Sequence, residues 1–421
     1  MTASLLPDEA RALVVDRVVR LPAEPVPLDA CLGRVTATGV TAGLSVPPFD
    51  NSAMDGYALR SADVAASAGR PAAPLRIVDE SRAGRPATRG LGSGEAVRIS
   101  TGAMLPAGAD AVVPVERAVE TDGEVRVEGA VAPGANVRRT GEDVSPGDVV
   151  VAAGARIGAA ELGVLASVGA ATVSCARQPA VALLATGDEL MPPGRVLGPG
   201  QIHETNTHSL RALVGEAGAV VAALDTVGDD PGATRAPIER ALREDVAVIC
   251  GGVSVGSHDH VKGALLELGV EEVFWRIALK PGKPTWFGVA PARDGGGPTL
   301  VFGLPGNPVS SMVTFHLFVR PALHALLGLE PAARVTAVLG EPHAKPAGRV
   351  EYVRCRIDAR DDGLHARPTR AAQGSHVLTS MLGADALAVM PAGRELIEAG
   401  ERVELELLGS WRPPAAGVSG G

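Results

Sequence analysis

The stretch DVAVICGGVSVG, residues 245–256, combines an apolar run with a glycine-rich end. An apolar run of this length, bounded by turn residues, predicts a strand buried on both faces of a parallel sheet. The same succession of strand, loop and helix recurs from residue 178 to residue 328, as in PAVALLATGDEL before HSLRALVGEAG and TLVFGLPGNP before VSSMVTFHLFVRPALHALLG. The sequence therefore predicts a doubly wound parallel α/β domain with helices on both faces.

Two further regions show the short apolar runs and turn residues that are typical of β structure. Between residues 72 and 142 these runs include APLRIVDE, EAVRIS and EVRVEG, and after residue 329 they include RVTAVLGE, EYVRCRID and ERVELELLG. We therefore expect a β-rich domain before the α/β domain and a small β domain after it. A chain of 421 residues is also too long for a single core, so it is expected to be multidomain.

The composition excludes several functional classes. The chain is 46% hydrophobic and 21% charged, which is typical of a soluble globular protein, and its net charge of −9 argues against non-specific binding to nucleic acid. Charges interrupt the apolar pattern of the N-terminus, so we expect no signal peptide, and we expect no membrane-spanning segment. Four well-separated cysteines without a CxxC pair exclude a zinc ribbon and favour the cytoplasm.

Lysine is rare in this chain, yet three of its four lysines lie close together. The chain contains 35 arginines, whereas Lys262, Lys280 and Lys283 fall within residues 262–283. Lys280 and Lys283 belong to the segment KPGKP. An ammonium group is a compact charge that a planar guanidinium does not replace, so this segment is a candidate anion site. Chance, combined with surface solubility, is the alternative explanation.

Three loops follow strands of the predicted parallel sheet: TGDEL, GGVSVGSHD and GLPGNP. Ligands of such sheets bind beyond the carboxyl ends of the strands, so we expect the three loops to lie on one edge. Backbone N–H groups of Gly251, Gly252, Ser254 and Gly256 can cradle a phosphate there. A tight turn that needs glycine is the alternative. GGVSVG is not the GxGxxG pattern, and the chain has no GxxxxGK[ST] motif.

Carboxylates crowd the same kind of loop. Glu189 lies in TGDEL, Asp229 in GDDP and Asp259 in GSHDH. Such hard oxygen ligands suit Mg²⁺, which binds a few carboxylates together with substrate phosphates. For the GDDP pair, capping of the following helix is an equal alternative. The HDH segment, residues 258–260, invites a zinc interpretation, but no third ligand stands at a recognisable spacing.

An anionic substrate and an acidic site together imply a cation. Each pair of like charges about 4 Å apart costs on the order of 4 kcal/mol at an effective dielectric constant of about 20. Mg²⁺ between the carboxylates and a phosphate turns this repulsion into attraction, and Lys280 and Lys283 can neutralise the remaining charge. The sequence shows no convincing Ser/His/Asp arrangement for nucleophilic catalysis.

The segment PPFDNSAMDGYALR, residues 47–60, has neither strand alternation nor helical spacing, and its Pro-Pro and Asp-Gly pairs predict an ordered loop. It contains one of eight motifs that occur in the order expected of the molybdopterin molybdenumtransferase (MoeA) family. The others are TGAMLPAGADAVVPVE, ANVRRTGEDV, TGDEL, GGVSVGSHDHVK, LKPGKPTWFG, GLPGNPVSS and QGSHVLTSML. The resemblance covers roughly residues 7–410 and extends to the C-terminal part of gephyrin.

The family resemblance implies a homodimer with four domains in each chain. A discontinuous N-terminal domain would comprise residues 1–46 and 143–177, with a β-rich domain inserted at residues 47–142. The α/β domain, of the molybdopterin-binding type, would span residues 178–328, and a C-terminal β barrel-like domain would span residues 329–412. We expect the tail, residues 413–421, to be disordered.

The resemblance also implies an activity. Members of the family accept adenylylated molybdopterin and molybdate, cleave the pyrophosphate bond in a Mg²⁺-dependent step, place molybdenum on the dithiolene sulfurs and release AMP. Matching positions fall into three sets: Glu189, Asp229 and Asp259 for metal and nucleotide, Lys280 and Lys283 for phosphate or molybdate, and Asp55, Thr101 and Asp143 as a contribution from the partner chain. Pro305 and Pro308 shape the GLPGNP loop, and Ser375 is a C-terminal contribution.

Other interpretations stay open at this point. The preceding enzyme, a molybdopterin adenylyltransferase, resembles only the α/β domain, and a non-enzymatic scaffold would need partner-binding regions beyond the enzyme motifs. GQIHETNTH departs from the segment found in many relatives, so no nucleotide contact is assigned to His203–Asn206, and no role is assigned to His258 or His260. The adenylyltransferase and the chaperones of downstream molybdoenzymes are candidate partners.

Overall fold

The structure is a computed structural model that describes residues 5–64, 73–228, 231–252, 260–292, 297–370 and 372–409. These residues form two compact units. The first unit contains the described residues up to Glu24, Gly33–Ala37 and those from Ser174 onward, and the second contains Pro25–Leu32 and Thr38–Val173. The boundaries of the four domains stay a prediction, and the tail expected to be disordered lies outside the described residues.

The helices and strands follow one another along the whole described chain. The helices are α1 (Pro7–Val15), α2 (Ala159–Ser167), α3 (Asn206–Glu216), α4 (Pro231–Ala241), α5 (His260–Glu267), α6 (Pro308–Thr314) and α7 (Arg320–Leu327), and a π-helical turn, Phe315–Val319, joins α6 to α7. The strands are β1 (Ala23–Pro27), β2 (Val40–Thr41), β3 (Asn51–Ser52), β4 (Gly56–Leu59), β5 (Leu75–Ser81), β6 (Glu95–Ile99), β7 (Ala111–Pro114), β8 (Ala118–Thr121), β9 (Glu124–Val127), β10 (Val137–Arg138), β11 (Val149–Val151), β12 (Thr172–Ala176), β13 (Ala180–Thr186), β14 (Leu190–Met191), β15 (Ile202–His203), β16 (Val220–Val227), β17 (Val246–Cys250), β18 (Glu271–Trp275), β19 (Leu279–Lys280), β20 (Trp286–Ala290), β21 (Thr299–Leu304), β22 (Val335–Leu339), β23 (His343–Ala344), β24 (Val350–Arg360), β25 (Gly363–Pro368), β26 (Ala386–Met390), β27 (Leu396–Ile397) and β28 (Arg402–Leu407).

The second unit is built around a six-stranded sheet with the order β7-β4-β6-β5-β9-β8. Alternation along β4 places Tyr57 and Leu59 in one apolar cluster and Ala58 in another, so both faces of this strand are covered. The loop predicted at residues 47–60 is therefore only partly a loop. Its end, Gly56–Leu59, is a central strand, because it pairs with both β6 and β7.

The first unit contains the predicted α/β domain. Its sheet has the order β16-β13-β17-β21-β20-β18, in which the first four strands are parallel. Strands β20 and β18 add an antiparallel edge that the sequence pattern did not predict. Because β13 is followed in sequence by β16 on one side and later by β17 on the other, the strand order reverses between β13 and β17.

Helices cover both faces of this sheet, as predicted. Val181 and Leu183 of β13 share a core with Leu210 and Val214 of α3. The intervening Ala182 and Leu184 pack on the other face with side chains of α4 and α5. Nearly continuous apolar strands are thus explained by burial on two sides, and the doubly wound α/β fold class is confirmed.

The C-terminal strands form a barrel. Strand β24 pairs with β25 and with β26, so the strands β24-β25-β22-β28-β26 close on themselves around a core that includes Val353, Cys355 and Leu405. Strand β19, which comes from the α/β segment of the chain, also pairs with β24. This pairing fixes the KPGKP segment to the barrel. Across the residues that the structure covers, no helix has the length and apolarity to span a membrane.

Candidate active site

The three loops predicted to lie on one sheet edge come together in their described parts. Glu189, Gly251, Gly252, Pro305 and Pro308 all line one cavity of about 570 Å³. The cavity lies beyond the carboxyl ends of β13, β17 and β21, beside the point where the strand order reverses. Crevices of this kind are where open α/β sheets bind ligands, and the volume suits a molecule of nucleotide size.

A glycine at position 251 allows the loop after β17 to cross the end of β13. Gly251 has φ +90°, and a Cβ built on it would lie 2.7 Å from the carbonyl oxygen of Thr186 and 2.8 Å from its Oγ1. A side chain here would therefore push the loop away from β13 and change the floor of the cavity. Ser254 and Gly256, predicted to extend this phosphate cradle, lie outside the described residues.

Carboxylates line one wall of this strand-end cavity. The exposed side chain of Glu189 bends back over Gly187, since a Cβ on that glycine would lie 2.5 Å from Glu189 Oε2. Glu204 is buried and accepts a hydrogen bond from the backbone N–H of Thr207 (2.8 Å), so its carboxylate is used to begin α3. The other predicted metal ligands, Asp229 and Asp259, lie outside the described residues.

Two buried oxygens beside the cavity lack hydrogen-bond partners. They are Thr186 Oγ1 and Asn206 Oδ1. Asn206 is held in place because its Nδ2 donates to the carbonyl oxygen of Gly306 (2.8 Å). Among the residues for which the structure gives positions, no group of three His, Cys, Asp or Glu side chains could hold a metal.

The cavity offers no activated cysteine nucleophile. Cys250 lines the cavity, but it is buried. Burial, followed by the negative charge of Glu204, raises the pKa of the Cys250 thiol to about 12. The thiol is therefore protonated at neutral pH.

A second, smaller cavity of about 220 Å³ adjoins the first and is basic. The two cavities share Pro284, Pro305 and Asn307 as lining residues. Three cationic side chains line the smaller one: the predicted Lys280 and Lys283, and Arg349. We call this space the basic cavity. Its size suits a small inorganic anion, because it is well below the volume of a typical organic ligand site.

Buried contacts hold both walls of the basic cavity. Lys280 Nζ lies 2.9 Å from Glu351 Oε1, and the register of β19 with β24 sets these two residues opposite each other. On the other wall, the carbonyl oxygen of Ser375 accepts a hydrogen bond from the N–H of Val309 in α6 (3.2 Å). The buried Arg354 donates to the carbonyl oxygen of Gly374 (3.4 Å), so the QGSH loop is tied to the barrel.

The predicted residues of the N-terminal half lie in the second unit. Asp55 Oδ1 accepts hydrogen bonds from the backbone N–H of Thr101 (2.7 Å) and from its Oγ1 (3.1 Å), so these two residues come together. Asp143 lies in a separate turn, where its N–H donates to the carbonyl oxygen of Val46 (3.0 Å). Asp50, also from the 47–60 segment, binds Thr140 and Arg139, and these contacts lower its pKa.

Sequence reasoning missed part of the site. His203, Glu204, Thr205 and Asn206, to which no role was assigned, all line the strand-end cavity. Their position immediately before the helix pattern of α3 was the available signal, because residues before such a helix lie at the ligand-binding edge of the sheet. Arg349 was also missed, and its local sequence, AGRVE, carries no recognisable pattern.

The fold and the two adjoining cavities define a class: a multidomain protein in which a doubly wound α/β domain, with ligand-sized cavities at its strand ends, is paired to a β barrel. Three sequence profiles match the chain in order. The MoeA N-terminal region (domain I and II) matches residues 5–169, a probable molybdopterin binding domain matches residues 182–325, and the MoeA C-terminal region (domain IV) matches residues 336–408.

Relatives match over nearly the whole chain. Molybdopterin molybdenumtransferase from Haemophilus influenzae is 35% identical, over 95% of this chain and 97% of its own length. Molybdopterin molybdenumtransferase 2 from Mycobacterium tuberculosis is 37% identical, over 90% of this chain and 94% of its own. A crystal structure of a Pyrococcus molybdopterin biosynthesis MoeA protein is similar with a TM-score of 0.81 and 34% identity, covering 97% of this chain and 100% of that chain. The chain therefore belongs to the molybdopterin molybdenumtransferase (MoeA) family, whose members are enzymes of molybdenum cofactor biosynthesis.

Proposed function

We propose that this enzyme inserts molybdenum into adenylylated molybdopterin, with Mg²⁺-dependent cleavage of the pyrophosphate bond and release of AMP. The adenylylated substrate occupies the strand-end cavity, and molybdate occupies the basic cavity. The observation that carries this proposal is that the two cavities adjoin along Pro284, Pro305 and Asn307. A nucleotide-sized site and a site for a small anion are thus placed where their ligands can meet.

The basic cavity supports an oxyanion as the second substrate. Lys280, Lys283 and Arg349 offer three positive charges within a space of about 220 Å³. The hydroxyl groups of Ser310 and Ser375 line the same space and can donate hydrogen bonds to oxyanion oxygens. A tetrahedral dianion such as molybdate satisfies this arrangement, because charge-assisted hydrogen bonds to its four oxygens offset the loss of hydration.

The strand-end cavity fits Mg²⁺ together with a phosphorylated ligand. Mg²⁺ uses one or two protein carboxylates and completes its coordination with phosphates and water. Glu189 supplies an exposed carboxylate there, and the unpartnered oxygens of Thr186 and Asn206 are further hard donors nearby. Asp229 and Asp259 follow strands that end at this same edge and would complete the set. When bound, Mg²⁺ would neutralise the repulsion between these carboxylates and the diphosphate of the substrate.

The enzyme is proposed to act as a homodimer in the cytoplasm. In this arrangement Asp55, Thr101 and Asp143 of one chain complete the active site of the other. The exposed Asp55–Thr101 contact supports this role, since it places a hydroxyl and a carboxylate side by side on the surface of the second unit. The adenylyltransferase that supplies the substrate and the chaperones that receive the product are its proposed partners.

An assay of AMP release tests the proposal. Purified protein is incubated with adenylylated molybdopterin, Mg²⁺ and molybdate, and AMP is measured with and without molybdate. We expect molybdate-dependent AMP release by the wild type and its loss in Asp259→Asn and Lys283→Ala. Consumption of ATP with molybdopterin would instead identify an adenylyltransferase, and the absence of both reactions in a folded protein would indicate a scaffold.

A further inference from the structure

Glu351 lies directly behind the basic cavity. Its side chain is 4% exposed, and its Oε1 is 2.9 Å from Lys280 Nζ, whereas Lys280 itself lines the cavity. One of the three cations around the cavity is therefore already paired with a buried negative charge. Lys283 and Arg349 form no ion pair with any carboxylate in the described part of the chain.

The surroundings of Glu351 keep it ionised. Burial acts to raise its pKa, but contact with His343 and the hydrogen bond from Lys280 outweigh burial, so the pKa of Glu351 is lowered overall. Its second oxygen, Oε2, lies 3.6 Å from His343 Nε2, a distance longer than a hydrogen bond. The nearby Lys345 donates a hydrogen bond to the carbonyl oxygen of Arg349 (2.9 Å), and its charge still interacts with that of Glu351.

We propose that Glu351 sets the charge of the basic cavity by neutralising Lys280, so that two uncompensated cations, Lys283 and Arg349, face a bound dianion. This inference rests on the proposed function, because it takes the basic cavity to be the oxyanion site. A carboxylate in this position matches the cavity to an ion of two negative charges. It also keeps the affinity low enough for the ion to leave the cavity during transfer.

The inference predicts that removing the charge of Glu351 strengthens anion binding. Glu351→Gln keeps the shape of the side chain and an oxygen that can accept from Lys280, but it leaves three uncompensated cations. Coulomb energy is proportional to ligand charge, so the fold change for a dianion is the square of that for a monoanion of similar size. We expect molybdate to bind roughly tenfold tighter and perrhenate roughly threefold tighter to the variant.

Isothermal titration calorimetry with sodium molybdate and with perrhenate, at constant ionic strength, measures both affinities. Glu406→Gln is the matched control, since Glu406 is also buried, is paired with Arg11 and Arg334, and lies in the barrel away from the basic cavity. The control changes the net charge of the protein by the same amount. It should leave both affinities unchanged.

A second pair of variants tests the same point if Glu351→Gln does not fold. Lys280→Gln should weaken molybdate binding by roughly tenfold, because Glu351 then opposes the two remaining cations. Lys280→Gln combined with Glu351→Gln should recover most of this loss, because the cavity regains its net charge. A buried ion pair can be replaced as a unit with little cost to the fold.

The outcomes separate the two levels of inference. Unchanged or weaker molybdate binding in Glu351→Gln, or no recovery in the double variant, would overturn the role of Glu351 while leaving the oxyanion cavity in place. Equal tightening of molybdate and perrhenate would also overturn it, because a charge effect must scale with ligand charge. No binding of either anion by the wild type would overturn the proposed function and this inference together.

Discussion

Replacing Gly251 by alanine should damage both the stability of the first unit and its ligand site. Gly251 has φ +90°, and its new Cβ would lie 2.7 Å from the carbonyl oxygen of Thr186, a backbone atom at the end of the central strand β13. The left-handed conformation costs about 1–2 kcal/mol for a residue with a Cβ. Overpacking against backbone costs about 1–3 kcal/mol more, so we expect a total loss of about 2–5 kcal/mol.

Urea unfolding followed by tryptophan fluorescence measures this loss, because Trp286 is fully buried in the α/β sheet and reports on its unfolding. Gly263→Ala in helix α5 is the matched control. A Cβ at Gly263 meets no atom within 4 Å, so the same substitution should stabilise the helix by about 1 kcal/mol. A cost below about 1 kcal/mol for Gly251→Ala would refute the close packing of the loop on β13.

Three further outcomes follow from the site and the core. Lys283→Ala should abolish AMP release and weaken molybdate binding while leaving the urea midpoint unchanged. Lys262→Ala breaks an ion pair with Glu272 (2.8 Å) but should keep the affinity for molybdate. Equal loss of affinity in both variants would contradict the assignment of the basic cavity as the molybdate site. EDTA should stop AMP release, and added Mg²⁺ should restore it. Activity that persists after exhaustive chelation would contradict the requirement for Mg²⁺. Burial, and secondarily the charge of Arg320, lowers the pKa of His316 to about 3. Below about pH 6.5, His316 therefore binds a proton in the unfolded chain but stays neutral in the folded protein. As pH falls from about 6 to about 4, the free energy of unfolding of His316→Phe should therefore decrease by about 1.4 kcal/mol less per pH unit than that of the wild type. Identical slopes of unfolding free energy against pH would refute the lowered pKa of His316.

The parallel strands and their helices could be predicted because their physics is local. Strands that are buried on both faces have continuous apolar sequences such as VAVIC. Each of these runs is followed by a loop and by a helix with helical periodicity. The antiparallel strands β18 and β20 were not predicted. Their sequences, EEVFW and WFGVA, show apolar character, but an apolar run does not indicate whether a strand pairs parallel or antiparallel to its neighbour.

Site residues divide in the same way. Because Glu189, Gly251 and Pro305 follow parallel strands, the sequence predicts them on one edge of the sheet, and in the structure all three line one cavity. The pairing of Lys280 with Glu351 joins residues 71 positions apart through a strand of the barrel, and no local pattern indicates it. The contact of Asp55 with Thr101 is similarly long-range, although the family motifs had singled out both residues.

The central claim is that a nucleotide and a molybdenum oxyanion occupy adjoining cavities at one edge of the α/β domain. Anomalous diffraction at the molybdenum absorption edge, from crystals grown with AMP, Mg²⁺ and molybdate, tests it directly. We expect a molybdenum peak among Lys280, Lys283 and Ser375, with the adenylate next to it between Glu189 and Gly251. A molybdenum peak and an adenylate both found elsewhere on the molecule would contradict the claim.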